Sequence, residues 1–336
     1  MSKVGVLGAG TWGCALAILL SDNGHDVTIW TKIEKEAISL EENRDHMKNL
    51  PGAKLPRSIK IILDLEEACK DKDLLVMAVA SPYIRATAHE AAPYIREGQI
   101  LVNVSKGLED STLMTLSDVL KEEIPQADIA VLSGPTHAEE VSRRMPTTIV
   151  VGAASMDTAR FIQDVFMNEV FRVYTSPDII GIELGGSLKN VIALAAGVID
   201  GLGLGDNTKA ALMTRGMAEI SRLGVKMGGK LETFSGLSGM GDLFVTCTSQ
   251  HSRNRKAGYL MGQGLTMEEA MKEVNQVVEG VHSAKAALHM AQKYEVEMPI
   301  VEQINMVLFE GKTPGEALAD LYGRDKRKEY KSLEWD

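Results

Sequence analysis

The chain has 336 residues, 45% of them hydrophobic and 24% charged, with a formal net charge of −10. That length holds two domains or one large one, and the composition is that of a globular fold stable in water. The acidic balance disfavours nonspecific nucleic-acid binding and adhesion to an anionic membrane, while an anionic small molecule stays a candidate if basic residues cluster locally. The three cysteines, Cys14, Cys69 and Cys247, are far apart and lack metal-ligand spacing. A reducing cytoplasm is therefore expected, with no metal site and no disulfide framework. No segment reads as a signal peptide or a membrane span, so no membrane insertion is expected.

Residues 4–7 read as a short buried strand, and 11–20 are apolar at helical spacing up to a stop at Asn23-Gly24. Further strands are expected at 27–30, 74–77, 100–103, 129–132 and 148–151, with helical patterns between several of them, as at 113–123. Continuous apolar strands alternating with helices specify a mostly parallel, doubly wound sheet of Rossmann type. The pattern changes near Ser176-Pro177. Beyond it, 185–204, 209–223, 266–274, 283–294 and 299–309 read as helices, with Thr266 and Glu269 spaced as a capping box. The expected fold class is α/β: a dinucleotide-binding domain over 1–180, then an all-helical domain over 181–336. The mixed-charge run 324–331 reads as a solvated tail.

Gly8-Ala9-Gly10-Thr11-Trp12-Gly13 matches G-x-G-x-x-G and follows a strand and opens a helix, the context that gives this pattern meaning. Gly8 serves the tight turn, Gly10 lets a pyrophosphate approach the backbone, and Gly13 lets helix and strand pack closely. The phosphates are expected on the free N–H groups of the helix start. The competing reading is a tight turn with no ligand. The second strand ends in Trp30-Thr31-Lys32, where an NAD-specific site places an acid for the ribose. A hydroxyl and a cation stand there instead. Lys32 suits a 2′-phosphate, so NADP(H) is expected to be accepted beside NAD(H); the plain alternative is a surface lysine.

Lys106-Gly107 and Ser133-Gly134-Pro135-Thr136 each follow a strand, at the carboxyl edge where such sheets bind ligands; the plain alternative for Lys106 is a solvated lysine. Lys189-Asn190 enters a strongly apolar helical stretch. Such a lysine either snorkels to water or is held in a cleft; in a cleft, partial burial and nearby cations would lower its pKa and make it a proton donor and acceptor, with Asn190 orienting it or bonding the substrate. The Gly/Ser-rich stretch 235–241 leads to Asp242, which is placed to pair with a lysine, to bond a substrate hydroxyl, or to cap the helix starting near Leu243. Ser252-Arg253-Asn254-Arg255 gathers two guanidiniums, an amide and a hydroxyl, a set suited to a phosphate. A dehydrogenase acting on a small phosphorylated molecule accounts for both ends of the chain.

These motifs converge on one family. Gly8–Gly13, Val104-Ser-Lys-Gly-Leu-Glu109, Leu132-Ser-Gly-Pro-Thr-His-Ala-Glu-Glu140, Leu188-Lys-Asn-Val191, Gly205-Asp-Asn-Thr-Lys-Ala-Ala211, Gly239-Met-Gly-Asp-Leu243, Ser252–Arg255 and Val277-Val-Glu-Gly280 stand in its order. The chain resembles the bacterial NAD(P)-dependent glycerol-3-phosphate dehydrogenases nearly end to end. The resemblance implies that Thr11, Trp12, Lys32 and Lys106 contact the cofactor, with Ala138, Arg253, Val277 and Glu279 closing over it. It implies that Lys106, Gly134, Thr136, Lys189, Asp242, Ser252, Arg253 and Asn254 hold the substrate. Lys189 is then the proton donor and acceptor, and Lys106 and Asn190 stabilise the developing alkoxide. Thr136 stands where many members carry Ser and keeps the hydroxyl; His137, His251 and His282 are read as structural. The implied reaction is the reversible reduction of dihydroxyacetone phosphate to sn-glycerol 3-phosphate, supplying phospholipid synthesis, by a cytoplasmic homodimer. One rival is a β-hydroxyacid dehydrogenase of the 6-phosphogluconate type, which lacks the pairing of Gly-Met-Gly-Asp with Ser-Arg-Asn-Arg. Another is a non-catalytic NADPH sensor, which need not keep Lys106, Lys189 and Asp242 together. The 17 methionines are read as filling helical cores.

Overall fold

The computed structural model describes residues 1–44, 50, 52–326, 328 and 329. The expected tail at 324–331 lies partly outside them. Strands β1 (Lys3–Leu7), β2 (Asp26–Trp30), β3 (Lys60–Ile62), β4 (Leu74–Met77), β5 (Ile100–Asn103), β6 (Asp128–Ser133), β7 (Thr147–Gly152) and β8 (Phe171–Ser176) form one sheet in the order β3-β2-β1-β4-β5-β6-β7-β8. The first six are parallel, in the strand order of a dinucleotide-binding sheet. β7 runs antiparallel to β6, and β8 follows β7 in parallel. Leu7 faces Trp30 on one side and Met77 on the other, and Met77 faces Asn103. Four strands therefore end level, and the loops carrying Gly8, Lys32 and Lys106 leave from the same carboxyl edge.

Helices α1 (Thr11–Asp22), α2 (Glu34–Asn43), α3 (Leu65–Cys69), α4 (Ile84–Ala91), α5 (Leu116–Glu123), α6 (Ala138–Val141) and α7 (Met156–Phe166) connect the strands. Apolar clusters fill both faces of the sheet, one built on Val4, Val6, Leu16 and Val102, the other on Leu7, Leu75, Leu101 and Leu120. α5 starts later than residue 113 because Leu113 sits at φ 60° and Thr115 caps the helix by accepting from Asp118 N–H. Two strands escape the sequence pattern. β3 has three residues, and β8 alternates buried Phe171 and Val173 with exposed Arg172 and Tyr174, so neither shows a continuous apolar run.

After residue 176 the described chain contains helices and turns but no strand: α8 (Ile179–Gly201), α9 (Asp206–Lys226), α10 (Leu231–Phe234), α11 (Asp242–Thr248), α12 (Arg253–Gly262), α13 (Met267–Val274), α14 (Glu279–Lys293), α15 (Pro299–Phe309) and α16 (Pro314–Tyr322). The Thr266–Glu269 capping box is present. α8 starts where the Asp178 carboxylate accepts from Gly181 N–H at 3.0 Å. It is mostly apolar and buried nearly all round, as suits a helix surrounded by protein, with Glu183, Ser187, Lys189 and Asn190 as buried polar exceptions. It has the length and hydropathy to cross a bilayer, yet 89% of that window is buried in the protein, so it is the axis of the helical core. A small cluster of Val131, Val150 and Ile182 joins α8 to the sheet.

α12 packs on α8 through glycines from both helices. A β-carbon on Gly197 would overlap the Arg255 carbonyl, and one on Gly258 would overlap that of Leu194. This approach brings the start of α12 beside Asn190 of α8.

Candidate active site

Gly8 has φ 121°, and a β-carbon there would lie 2.8 Å from the Ala78 carbonyl. A β-carbon on Gly13 would overlap the Gly8 carbonyl oxygen, so the first turn of α1 sits directly on the strand end. Gly10 differs: nothing in the protein lies within 4 Å of its β-carbon position. It is the N-cap of α1, no side chain caps the helix, and no acid stands in the first turn. Free N–H groups facing open space fit a pyrophosphate. Trp12 is half-buried against the sheet core. At the end of β2, Lys32 is exposed and pairs with Glu90 at 2.6 Å, and the buried Thr31 hydroxyl donates to Glu36.

The chemistry gathers around one carboxylate. Asp242 is fully buried at the first position of α11. Its Oδ1 accepts from Lys189 Nζ, and its Oδ2 accepts from Lys106 Nζ at 2.7 Å. Gly241, not Asp242, occupies the N-cap, so the carboxylate serves the lysines rather than the helix start. Lys189 also donates to Thr246 Oγ1 at 2.6 Å, and Lys106 donates to the Gly134 carbonyl at 3.0 Å. The Thr136 hydroxyl donates to that same carbonyl at 3.0 Å. Burial pulls the Lys189 pKa down to about 8; Asp242 resists this, and the Lys106 charge adds to it. Removing a charge from water this far costs several kcal/mol unless it is paired and hydrogen-bonded, and Asp242 and Thr246 supply both.

A second network lies beside the first. Gly280 N–H donates to Asn254 Oδ1 at 2.8 Å, Asn254 donates to Asn190 Oδ1 at 3.0 Å, and Asn190 donates to Glu279 Oε2 at 3.2 Å. Asn190 keeps a second N–H for another acceptor. Burial raises the Glu279 pKa, opposed by Arg253, Lys189 and Lys106, so the two networks share one electrostatic field. Ser252 caps α12, its Oγ accepting from Arg255 N–H at 3.2 Å. Arg255 turns away and pairs with Asp200 at 2.7 Å. Arg253 is exposed at the helix start, without an ion pair among the described residues. Of the two guanidiniums in the motif, one is committed to Asp200 and the other is exposed. Val277 is half-buried just before α14, and Ala138 is buried at the start of α6.

Thr246 and Gly186 lie beside the lysines and outside the motifs that carried the resemblance. Thr246 stands one turn after Asp242, a spacing that places both on one helix face. His137 lies near the lysines; burial, then the Lys189 and Lys106 charges, push its pKa down to about 4. Its Nε2 is buried with no partner among the described residues, and its ring lies 5.8 Å from that of His251. A β-carbon on Gly186 would lie 2.8 Å from Ser133 Oγ and in ordinary contact, 3.8 Å, with Asp242 Oδ2, so a side chain there would have to displace the Ser133 hydroxyl.

Family models described as the N-terminus and C-terminus of NAD-dependent glycerol-3-phosphate dehydrogenase match residues 3–159 and 178–319. The chain belongs to this family. It is an NAD(P)-dependent oxidoreductase by that membership. A glycerol-3-phosphate dehydrogenase (NAD(P)+) of Agathobacter rectalis is 61% identical over 335 residues, with 100% of each chain covered. The Bacillus subtilis protein of the same name is 50% identical over 339 residues, covering 99% of this chain and 97% of the relative. The crystal structure of glycerol-3-phosphate dehydrogenase from Coxiella burnetii superposes with a TM-score of 0.93 at 34% identity, covering 96% of this chain and 99% of that one. A ketopantoate reductase of Ralstonia eutropha, at 14% identity and a TM-score of 0.61, shares the fold alone.

Proposed function

We propose that this family member catalyses the reversible, NAD(P)H-dependent reduction of dihydroxyacetone phosphate to sn-glycerol 3-phosphate. The carrying observation is the buried Asp242 carboxylate holding Lys189 and Lys106 together, beside a helix start that presents Arg253. In this reading residues 1–180 form the cofactor domain and 181–336 the substrate domain, each lending a few residues to the other's ligand. The first turn of α1, with Gly8, Gly10, Thr11, Trp12 and Gly13, holds the pyrophosphate. Lys32 exchanges Glu90 for a 2′-phosphate when NADP(H) binds, and Lys106, Ala138, Val277 and Glu279 border the rest of the cofactor. Arg253, with the first-turn N–H groups of α12 that Ser252 and Asn254 fix in place, takes the substrate phosphate. Gly134 and Thr136 border the substrate from the sheet side.

When bound, the reduced nicotinamide supplies a hydride to the substrate C2 carbonyl. Lys189 gives its proton to the C2 oxygen, and a pKa of about 8 suits a group that must give and take a proton near neutrality. Lys106 and the spare N–H of Asn190 stabilise the negative charge that grows on that oxygen. Asp242 holds both lysines in place inside the protein, one on each carboxylate oxygen. In the reverse direction Lys189, neutral, accepts the hydroxyl proton.

The same reading makes the protein a cytoplasmic homodimer whose product serves phospholipid synthesis. The free, buried thiols of Cys14, Cys69 and Cys247, each pushed up to about 12, support a reducing compartment. Sedimentation of the purified chain tests the dimer. The reaction is tested by NADPH oxidation with dihydroxyacetone phosphate, beside NADH and beside unphosphorylated dihydroxyacetone. Turnover with the phosphorylated ketone alone is expected; equal turnover of both ketones removes the phosphate site, and no turnover removes the reaction.

A further inference from the structure

We propose that Ser187 is a positioning residue that locks the Lys106 loop to the helix carrying Lys189, and so sets the spacing of the two lysines on Asp242. Ser187 lies two residues before Lys189 on α8 and is 2% exposed. Its Oγ accepts from Gly107 N–H at 3.0 Å and donates to the Gly107 carbonyl at 2.8 Å. Both main-chain groups of the residue next to Lys106 thus end on one hydroxyl, which has one proton and two lone pairs to give. Gly107 is held in place from the other side: its φ is +149°, and a β-carbon would lie 2.7 Å from Ser81 Cβ. One turn before Ser187, Glu183 accepts from Ser117 N–H at 2.9 Å and from Asn103 Nδ2 at 3.5 Å. The segment from Asn103 to Ser117, with Lys106 within it, is therefore tied to α8 at its middle and at both ends. The carboxylate that joins the lysines at their tips is matched by a hydroxyl that joins their backbones.

The consequence is electrostatic as well as geometric. The groups facing Lys189 are Asp242 and Thr246 of α11, Lys106 of the loop after β5, Glu279 of α14, and, through their own response to its charge, His137 and Cys247. Among them Lys106 is a cation whose distance from Lys189 depends on the Ser187 tie. If that tie loosens, Lys106 withdraws and Lys189 holds its proton more tightly.

This inference rests on the roles proposed above for Lys189 and Lys106, and one experiment separates the two. The purified full-length variants Ser187→Ala, Lys106→Met and the double variant are compared with the unmodified protein. The readouts are kcat, KM for dihydroxyacetone phosphate, NADPH binding, thermal midpoint and the pH profile of kcat/KM. Ser187→Ala is expected to lower kcat about 10- to 100-fold, the cost of an ångström-scale misplacement. It should leave most of the NADPH binding, held by the α1 turn, in place and move the alkaline limb of the profile upward by about half a pH unit or more. Added to Lys106→Met, it should change little, because both act through the same charge. Ser187→Thr, which keeps the hydroxyl, should restore the limb. A lower thermal midpoint with kcat and limb unchanged overturns the proposal, as does full additivity in the double variant. If Ser187→Ala does not fold, Glu183→Gln is the second probe, and an unmoved limb there counts against the tie. A Lys106→Met enzyme with normal kcat and profile overturns the lysine roles themselves, whatever Ser187 does.

Discussion

Gly258 of α12 meets the carbonyl of Leu194 in α8 so closely that any side chain would overlap the oxygen. Gly262 repeats the contact one turn later, its β-carbon position 2.5 Å from the Val198 carbonyl. The spacing of these helices fixes the height of Arg253 and Asn254 above Asn190, because both sit in the first turn of α12. Gly258→Ala should therefore destabilise the fold by about 1–3 kcal/mol, the range for overpacking a tight contact. It should also raise KM for dihydroxyacetone phosphate while leaving NADPH binding nearly intact. Thermal unfolding and steady-state kinetics on one preparation check both, and an unchanged KM would show that α12 can shift without moving the phosphate site.

Lys189→Ala should cut kcat by about 10²–10⁴-fold, the usual share of a general acid, with NADPH still bound. The unmodified enzyme supplies a second check through pH. In the proposed mechanism reduction uses the charged lysine, so kcat/KM for the ketone should fall as pH rises through about 8. Oxidation of glycerol 3-phosphate uses the neutral lysine, so its kcat/KM should rise over the same interval. Profiles with the same sign in both directions would assign the proton to another group.

The sheet and its cofactor turn were legible because parallel strands buried on both faces leave continuous apolar runs, and Gly8–Gly13 follows the first of them. The edge strands β3 and β8 were not legible, since one is very short and the other alternates. The reversal of β7 leaves no local mark at all; only the pairing of Val131 with Gly152 reveals it. At the site, Lys106, Lys189, Asn190 and Asp242 stood out as polar groups in apolar or glycine-rich surroundings. Their pairing did not, because Lys106 and Asp242 are 136 residues apart. Arg253 and Arg255 looked equivalent in the motif, and Asp200, which claims Arg255, lies 55 residues away. Ser187 and Thr246 were passed over because a lone hydroxyl in a helix has many uses, and its partner is set by tertiary packing.

Glu219 of α9 provides a test of stability remote from the lysines. Its buried carboxylate accepts from Ile300 N–H at 3.0 Å and so caps α15 across the helical core. Burial nonetheless raises its pKa to about 7, the backbone donors only partly offsetting this. A carboxyl that binds its proton more tightly when folded makes the fold less stable as pH rises from its unfolded value near 4.5 to about 7. At about 1.4 kcal/mol per unit the loss is on the order of 3 kcal/mol. Glu219→Gln keeps an acceptor for α15 and removes the titration. Its thermal midpoint should stay flatter between about pH 5 and pH 7 than that of the unmodified chain. Parallel slopes would mean that Glu219 is ionised in the folded protein throughout.

The two arginines of the Ser252–Arg255 motif should separate cleanly. Arg253 is exposed at the start of α12 and acts electrostatically on Glu279, within the field of the two lysines. Arg255 is committed to Asp200, which also holds Lys209. Arg253→Ala would remove the proposed charge-assisted phosphate contact, about 1.5–3 kcal/mol, and should raise KM for dihydroxyacetone phosphate by about 10- to 100-fold. Its thermal midpoint should hardly move. Arg255→Ala leaves Asp200 with Lys209 alone and lowers stability by about 1–3 kcal/mol, between the values for exposed and buried pairs. Its KM should stay near that of the unmodified enzyme, provided the first turn of α12 keeps its Ser252 cap. Steady-state kinetics and thermal unfolding of the two variants decide the matter. The reverse result, with Arg255 controlling KM and Arg253 controlling stability, would exchange their roles and place the phosphate on the inner face of the helix.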